Sequence, residues 1–407
     1  MTMSNQTAAK VTPITQGNRH IEEVDGMTLE YVIRYAQIWK LFGFAESEAK
    51  SIPALNRKVP VRLYLIPGTD EAFAHPHVPT LDLMHQFDVL EVAICLDYFL
   101  KGTGFPPFFY GLHGTGKTSF FDQLHARLGL PKVEIILGED SEVIDLGGQM
   151  LPTEKGGMKF HEGLLVQTMR NGWTLQIDEY DLLPVRQQKM LNDVLENKRF
   201  TIEVTGQKVI AHKNWRVCVC GNSNNTGTGS SMFVSSGGGD ASVNERFFFF
   251  EKTYLPKDAE KRILVNVAKP YIDSNPEVRA LKDEAQKKEK IEQLTKLICG
   301  TDDKNGAPLP CLIDQMLLVC ERIRKAHINS RKTMSANGVS LDSVMSTRAL
   351  KQWCMKTLEL MSFYANAAPK LNEDIFKTAL RLTFINGISE DEKQLVEQIF
   401  DDSLGGK

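Results

Sequence analysis

Residues 108–118 read Phe-Phe-Tyr-Gly-Leu-His-Gly-Thr-Gly-Lys-Thr, an apolar run that opens into a complete G-x-x-x-x-G-K-[ST] loop. Phe108, Phe109 and Tyr110 form a short strand that delivers the chain to Gly111. Phe121, Leu124 and Leu128 follow at helical spacing, so strand, loop and helix come in the order a phosphate cradle requires. Gly111, Gly114 and Gly116 let the backbone fold tightly and aim its N–H groups inward. The helix starting near Lys117 adds the positive end of its dipole. Lys117 is expected to reach the β- and γ-phosphates of a nucleotide, and Thr118 to offer its hydroxyl to Mg²⁺. His113, Thr115 and Ser119 complete the expected phosphate-facing set. A glycine-rich turn before an ordinary helix is the alternative, and the strand in front together with the Lys-Thr pair speaks against it.

Downstream, Trp173-Thr-Leu-Gln-Ile-Asp178-Glu179 is a buried-strand pattern ending in two acids. Ligands of open α/β sheets sit at this carboxyl edge. Asp178 is the expected magnesium ligand, directly or through water. Glu179 is the expected base that orients and deprotonates the attacking water. Taken alone, the pair reads better as solvated acids opening a helix. Behind the phosphate loop it describes a nucleotide-hydrolysing site.

A chain of 407 residues with 42% hydrophobic residues has room for two or three cores, and a net charge of −3 gives no electrostatic case for nucleic acid or an anionic membrane. No apolar stretch is long enough to span a bilayer. The seven cysteines are scattered without zinc spacing, and His75-Pro-His77 reads as polar loop rather than metal site. The expectation is a reduced, soluble, cytoplasmic protein. Residues 1–24 are read as a polar disordered tail and 25–80 as a small N-terminal domain with a helical Leu29–Ala36 and a β-like Val61–Ile66. Residues 81–256 form the α/β nucleotide-binding domain, and 257–407 a helical domain that includes Glu277–Ile298. Turn signals at 145–148 and 154–157 mark an insertion inside the α/β unit. Strands on either side of Thr205-Gly206 form a hairpin, and Arg216-Val-Cys-Val-Cys ends at Gly221-Asn222, with Cys218 and Cys220 on one packed side. The Gly/Ser-rich run 226–240 reads as a loop.

The chain resembles the MoxR-type AAA+ ATPases, and among them most closely the CobS subunits of aerobic cobalt chelatase. The resemblance is carried by Tyr110–Thr118, Phe160-His-Glu-Gly-Leu-Leu, Ile177-Asp-Glu-Tyr-Asp and Thr253-Tyr-Leu-Pro256. It continues through Met345-Ser-Thr-Arg348 and Leu380-Arg-Leu-Thr-Phe-Ile-Asn386. It implies an AAA+ parallel-sheet domain with a C-terminal helical lid, assembled as a homo-oligomeric ring, a hexamer, with ATP and Mg²⁺ between subunits. By the same resemblance Asn222 is the first sensor, Arg246 the arginine finger reaching into the neighbour's site, and Arg348 the second sensor on the lid. Asn224 competes with Asn222 for the sensor role, and Glu245 stands where the family usually has Asp. The implied function is a motor that remodels a partner complex containing a von Willebrand A-domain (CobT-like) protein. Driving cobalt insertion into a corrin ring and acting as a nucleotide-gated scaffold are the alternatives.

Overall fold

The computed structural model describes residues 19–24, 26–138, 140–153, 156–225, 241–300, 311–332, 341–364 and 375–404. The run 226–240, read above as a loop, therefore lies outside the described residues, as does most of the expected disordered tail.

Twelve strands are described: β1 His20–Val24, β2 Met27–Gln37, β3 Lys58–Leu65, β4 Pro107–Tyr110, β5 Lys132–Ile136 and β6 Gly148–Pro152, then β7 Met158–Glu162, β8 Thr174–Asp178, β9 Arg199–Ile202, β10 Gln207–Ile210, β11 Arg216–Gly221 and β12 Phe248–Glu251. The central sheet has the order β12-β4-β11-β8-β5, and every pairing in it is parallel. Parallel strands are covered by crossover helices on both faces, which explains why their sequences read as continuous apolar runs. Phe108, Leu175, Ile177, Val217 and Val219 enter one core, and Phe109, Cys218 and Cys220 another. The two cysteines do share one packed side, and burial raises both thiols well above their ordinary pKa. Helix Lys117–Leu128 buries Phe120, Phe121, Leu124 and Leu128 against that second core.

Inside the α/β unit, the turn signal at 145–148 leads into an antiparallel hairpin of β6 and β7, and the one at 154–157 falls between its two strands in the sequence. The expected hairpin around Thr205-Gly206 is the β9–β10 pair, with Gln207 opposite Ile202. Helices follow from Lys257 onward and enclose a third core, in which Ile313, Met316, Trp353 and Leu380 are almost fully buried. The stretch 277–298, expected within the helical region, is helical in two pieces, Pro276–Ala280 and Glu284–Cys299. Asp283 caps the second by accepting a hydrogen bond from the Ala285 amide.

The N-terminal region departs from its reading in three places. Leu29–Ala36 is strand, within β2, and not helix. Its apolar residues fall at helical spacing, but Tyr31, Val32, Ile33 and Tyr35 favour a pleated surface, and β1 and β3 supply an antiparallel ladder on each side. The tail boundary at 24 is also displaced: β1 pairs residue by residue with β2, so the sheet begins at His20. The third departure is His75, which is buried. Its ring packs on Tyr64 at 4.5 Å and on Trp173 at 6.1 Å, while His77 lies 4.4 Å from Trp173. Among the described residues no group of three or more His, Cys, Asp or Glu side chains could hold a metal.

This three-stranded sheet docks on the end of the central sheet around Trp173. The indole N–H donates to Glu22 Oε1 at 2.8 Å, and Tyr64 donates to Glu22 Oε2 at 3.0 Å. Trp173→Phe keeps an aromatic ring at this position but removes the indole N–H and that charge-assisted bond. The expected loss is about 1.5–3 kcal/mol of unfolding free energy, read as a lower urea midpoint with an unchanged denaturant slope.

Candidate nucleotide site

Three segments converge at the carboxyl ends of the central strands: the loop after β4, the acids after β8 and the polar tip of β11. They line a cavity of about 930 Å³ together with the connector around His85 and helix Thr347–Tyr364. The loop can fold as it does because its glycines take positive φ. Gly111, at φ +143°, runs against the backbone of Lys252, whose carbonyl would collide with any Cβ there. Helix Lys117–Leu128 then starts directly from Gly116, so its free N–H groups face the cavity.

Lys117 bends back over the loop. Its ammonium donates to the carbonyls of Gly111 (2.7 Å) and Leu112 (3.2 Å) and to Asn222 Oδ1 (3.2 Å). Burial lowers its pKa from the ordinary lysine value, with the carboxylates of Glu179, Asp181 and Asp178 acting in the opposite sense. Asn222 turns its other end to Glu179: Nδ2 donates to Oε2 at 2.6 Å. One asparagine thus bridges the lysine of the loop and the second acid of β8. Asn224, the competitor for that position, is not among the cavity-lining residues.

Thr118 Oγ1 donates to Asp178 Oδ2 at 2.8 Å. A hydroxyl beside a carboxylate is the sparse, all-oxygen donor set that magnesium uses when phosphates and water complete its shell. The residues fit that ion. Glu179 sits in the left-handed region at φ +57°, which is costly for a non-glycine residue and recurs at functional sites. Burial pushes its carboxyl above the usual range, and the nearby Asp181 and Asp178 charges add to this, against Lys117 and the Asn222 hydrogen bond.

His113, Gly114, Thr115, Gly116, Ser119 and Arg348 also line the cavity; Gly111 lies at its base as an acceptor for Lys117. Arg246 does not join them. It borders a separate cavity of about 390 Å³, paired with Glu196 at 2.8 Å and donating to the carbonyl of Ser242, while its Nε is buried without a partner.

Several contributors escaped the sequence reading. Asp181 is buried and accepts from the Asn222 and Ser223 amides and from the Ser223 hydroxyl, so it fixes the tip of β11. Its place two residues after Glu179 was the one available signal. His85 lines the cavity with Nε2 buried and unpartnered, and burial beside Lys252 and Arg127 brings its pKa down to about 4, leaving the ring neutral near pH 7. The lid is wired to the loop as well. Ser346 would collide with a Cβ at Gly114, and Tyr254 donates to the His113 carbonyl at 2.9 Å. Arg324 stacks on Tyr254 and grips Glu260 with two bonds of 2.9 Å, and Glu260 in turn accepts from Thr347, next to Arg348.

Residues 106–235 match the model of the AAA domain, dynein-related subfamily, and so take in the phosphate loop, both acids and Asn222. The chain carries an AAA domain and is MoxR-like. It is similar to the aerobic cobaltochelatase subunit CobS of Sinorhizobium sp, 24% identical over 300 residues that make up 72% of this chain and 74% of that protein. It is similar to the denitrification regulatory protein NirQ of Stutzerimonas stutzeri, 28% identical over 40% of this chain and 58% of that one. Midasin of Dictyostelium discoideum is 31% identical over 123 residues, which are 29% of this chain but only 2% of midasin. The AAA+ chain therefore shares one domain with midasin and a much longer span with CobS. No helix among its described residues is long and apolar enough to cross a membrane.

Proposed function

We propose that this AAA+ protein is an ATP hydrolase that works as a ring, with each site completed by the neighbouring subunit, and that uses turnover to remodel a partner complex. The observation that carries the reading is the Lys117–Asn222–Glu179 chain of hydrogen bonds beside the Thr118–Asp178 pair, all in one cavity. The loop amides and Lys117 would bind the triphosphate, Lys117 exchanging its present carbonyl partners for phosphate oxygens. Thr118 and Asp178 would hold magnesium, which supplies charge neutralisation on the phosphates. Glu179, raised in pKa and oriented by Asn222, would accept a proton from the attacking water. Arg348 on helix Thr347–Tyr364 would sense the γ-phosphate, and the Tyr254–Arg324–Glu260–Thr347 contacts would carry that state into the lid. Arg246 faces away from its own subunit's site, which supports a role in trans.

The division at residue 256, the six-membered ring and a von Willebrand A-domain (CobT-like) partner belong to this proposal, supported by the similarity to CobS. Cobalt insertion into a corrin ring is the narrower form of the same reading. Purified protein should hydrolyse ATP only with magnesium. Lys117→Ala should lose nucleotide binding and hydrolysis together, by 100-fold or more on the order of one charge-assisted phosphate clamp. Turnover equal to wild type in that variant would sink the proposal.

A further inference from the structure

β8 is buried from Thr174 to Ile177, yet its middle residue is polar: Gln176 is fully buried between Leu175 and Ile177. A buried amide persists where its groups are satisfied, and both of its ends are. Oε1 accepts from Lys132 Nζ at 2.7 Å, and Nε2 donates to Asp178 Oδ1 at 2.7 Å. Lys132, the first residue of β5, is buried in turn. Its ammonium meets Asp122 of helix Lys117–Leu128 at 2.7 Å and Glu134 at 3.2 Å. An ammonium has only donors, so the amide oxygen has to face Lys132 and the NH₂ group has to face Asp178. Asp178 is consequently held from both sides, by Gln176 on Oδ1 and by Thr118 on Oδ2.

We propose that Gln176, its amide orientation locked by Lys132, is a positioning residue that sets the Asp178 carboxylate for the magnesium of a bound nucleotide. The inference rests on the nucleotide reading above and adds to it a specific outer layer. Magnesium demands near-ideal octahedral geometry, so a carboxylate free to rotate binds it less well. Outer partners of metal ligands typically change metal affinity by 10- to 100-fold when removed. An apolar side chain would suit this position as well as Leu175 and Ile177 suit theirs, so packing alone gives no reason for Gln.

The test is the binding of a fluorescent ATP analogue to the full chain, titrated with Mg²⁺ and repeated in EDTA. Gln176→Leu leaves Lys132 with two carboxylate partners and should melt near the wild-type temperature. It should bind nucleotide in EDTA as wild type does, but need roughly tenfold more Mg²⁺ for the same tightening. Lys132→Met, which frees the amide to turn over, should shift the Mg²⁺ requirement in the same direction. The double variant Lys132→Met, Gln176→Leu removes the polar pair together and guards against a single variant that fails to fold. An unchanged Mg²⁺ requirement in these folded variants overturns the proposal. So does an equal loss of nucleotide binding with and without Mg²⁺, the mark of a merely structural role. Wild-type protein whose nucleotide affinity ignores Mg²⁺ would remove the reading of the site itself, and this inference with it.

Discussion

Glu179→Gln is expected to bind ATP with wild-type affinity and to hydrolyse it roughly 10²- to 10⁴-fold more slowly, the span of general-base contributions. The substitution is nearly isosteric and keeps an acceptor oxygen toward Asn222 Nδ2, so the 2.6 Å contact and the tip of β11 survive. It removes the carboxylate proposed above to take a proton from the attacking water. The pH dependence gives a second handle. Glu179 acts when deprotonated, and burial with the Asp181 and Asp178 charges holds its pKa above the ordinary value. The acid limb of kcat/KM in wild type should therefore fall away at higher pH than an unperturbed glutamate would give. In Glu179→Gln that limb should vanish from the residual rate. Single-turnover hydrolysis and equilibrium nucleotide binding, measured on the same preparation, separate the two effects. Equal hydrolysis in wild type and variant would move the base elsewhere.

How much of this was readable in advance depends on how local each cause is. The phosphate loop and the acids of β8 were legible because their chemistry is written in neighbouring residues, as glycines, a lysine and a hydroxyl at fixed spacing after an apolar strand. The parallel sheet followed from the same order. The reading of 29–36 as helix followed from Leu29, Val32, Ile33 and Ala36 suiting a helix, while the ladders that make them a strand come from β1, in a stretch read as tail, and from β3, beyond an intervening helical segment. His75 looked like a loop residue because the Trp173 it packs against is far along the chain. Gln176 was visible inside an apolar run, yet its reason lies on β5, in Lys132, which no spacing rule connects to it. The contacts from Tyr254 through Arg324 and Glu260 to Thr347 join three distant segments, so the coupling of lid to loop emerges only in three dimensions.

Arg246→Ala is expected to leave ATP binding nearly intact and to cut turnover by roughly 10³- to 10⁵-fold, the worth of such fingers in other NTPases. The distinctive consequence lies in mixtures. If Arg246 serves the neighbour, a subunit with Arg246→Ala still offers an intact loop, and a subunit with Lys117→Ala still offers an intact finger. Mixed in equal amounts, about a quarter of the head-to-tail junctions join one intact loop to one intact finger. Two inactive proteins should then regain measurable hydrolysis, rising with the fraction of mixed rings. A finger acting on its own subunit predicts no recovery, because no single chain in the mixture carries both residues. The geometry favours the first outcome: Arg246 borders a different cavity from the phosphate loop, and Glu196 and the Ser242 carbonyl hold it there. Recovery needs Arg246 to leave Glu196 when a neighbour docks. Half-exposed ion pairs of this kind are worth about 0–1 kcal/mol, which a γ-phosphate in low dielectric outweighs. No recovery in rings shown to be mixed, for example by tagging one variant and capturing the other with it, would mean that Arg246 is held by Glu196 for a structural reason and that the trans contact comes from another residue.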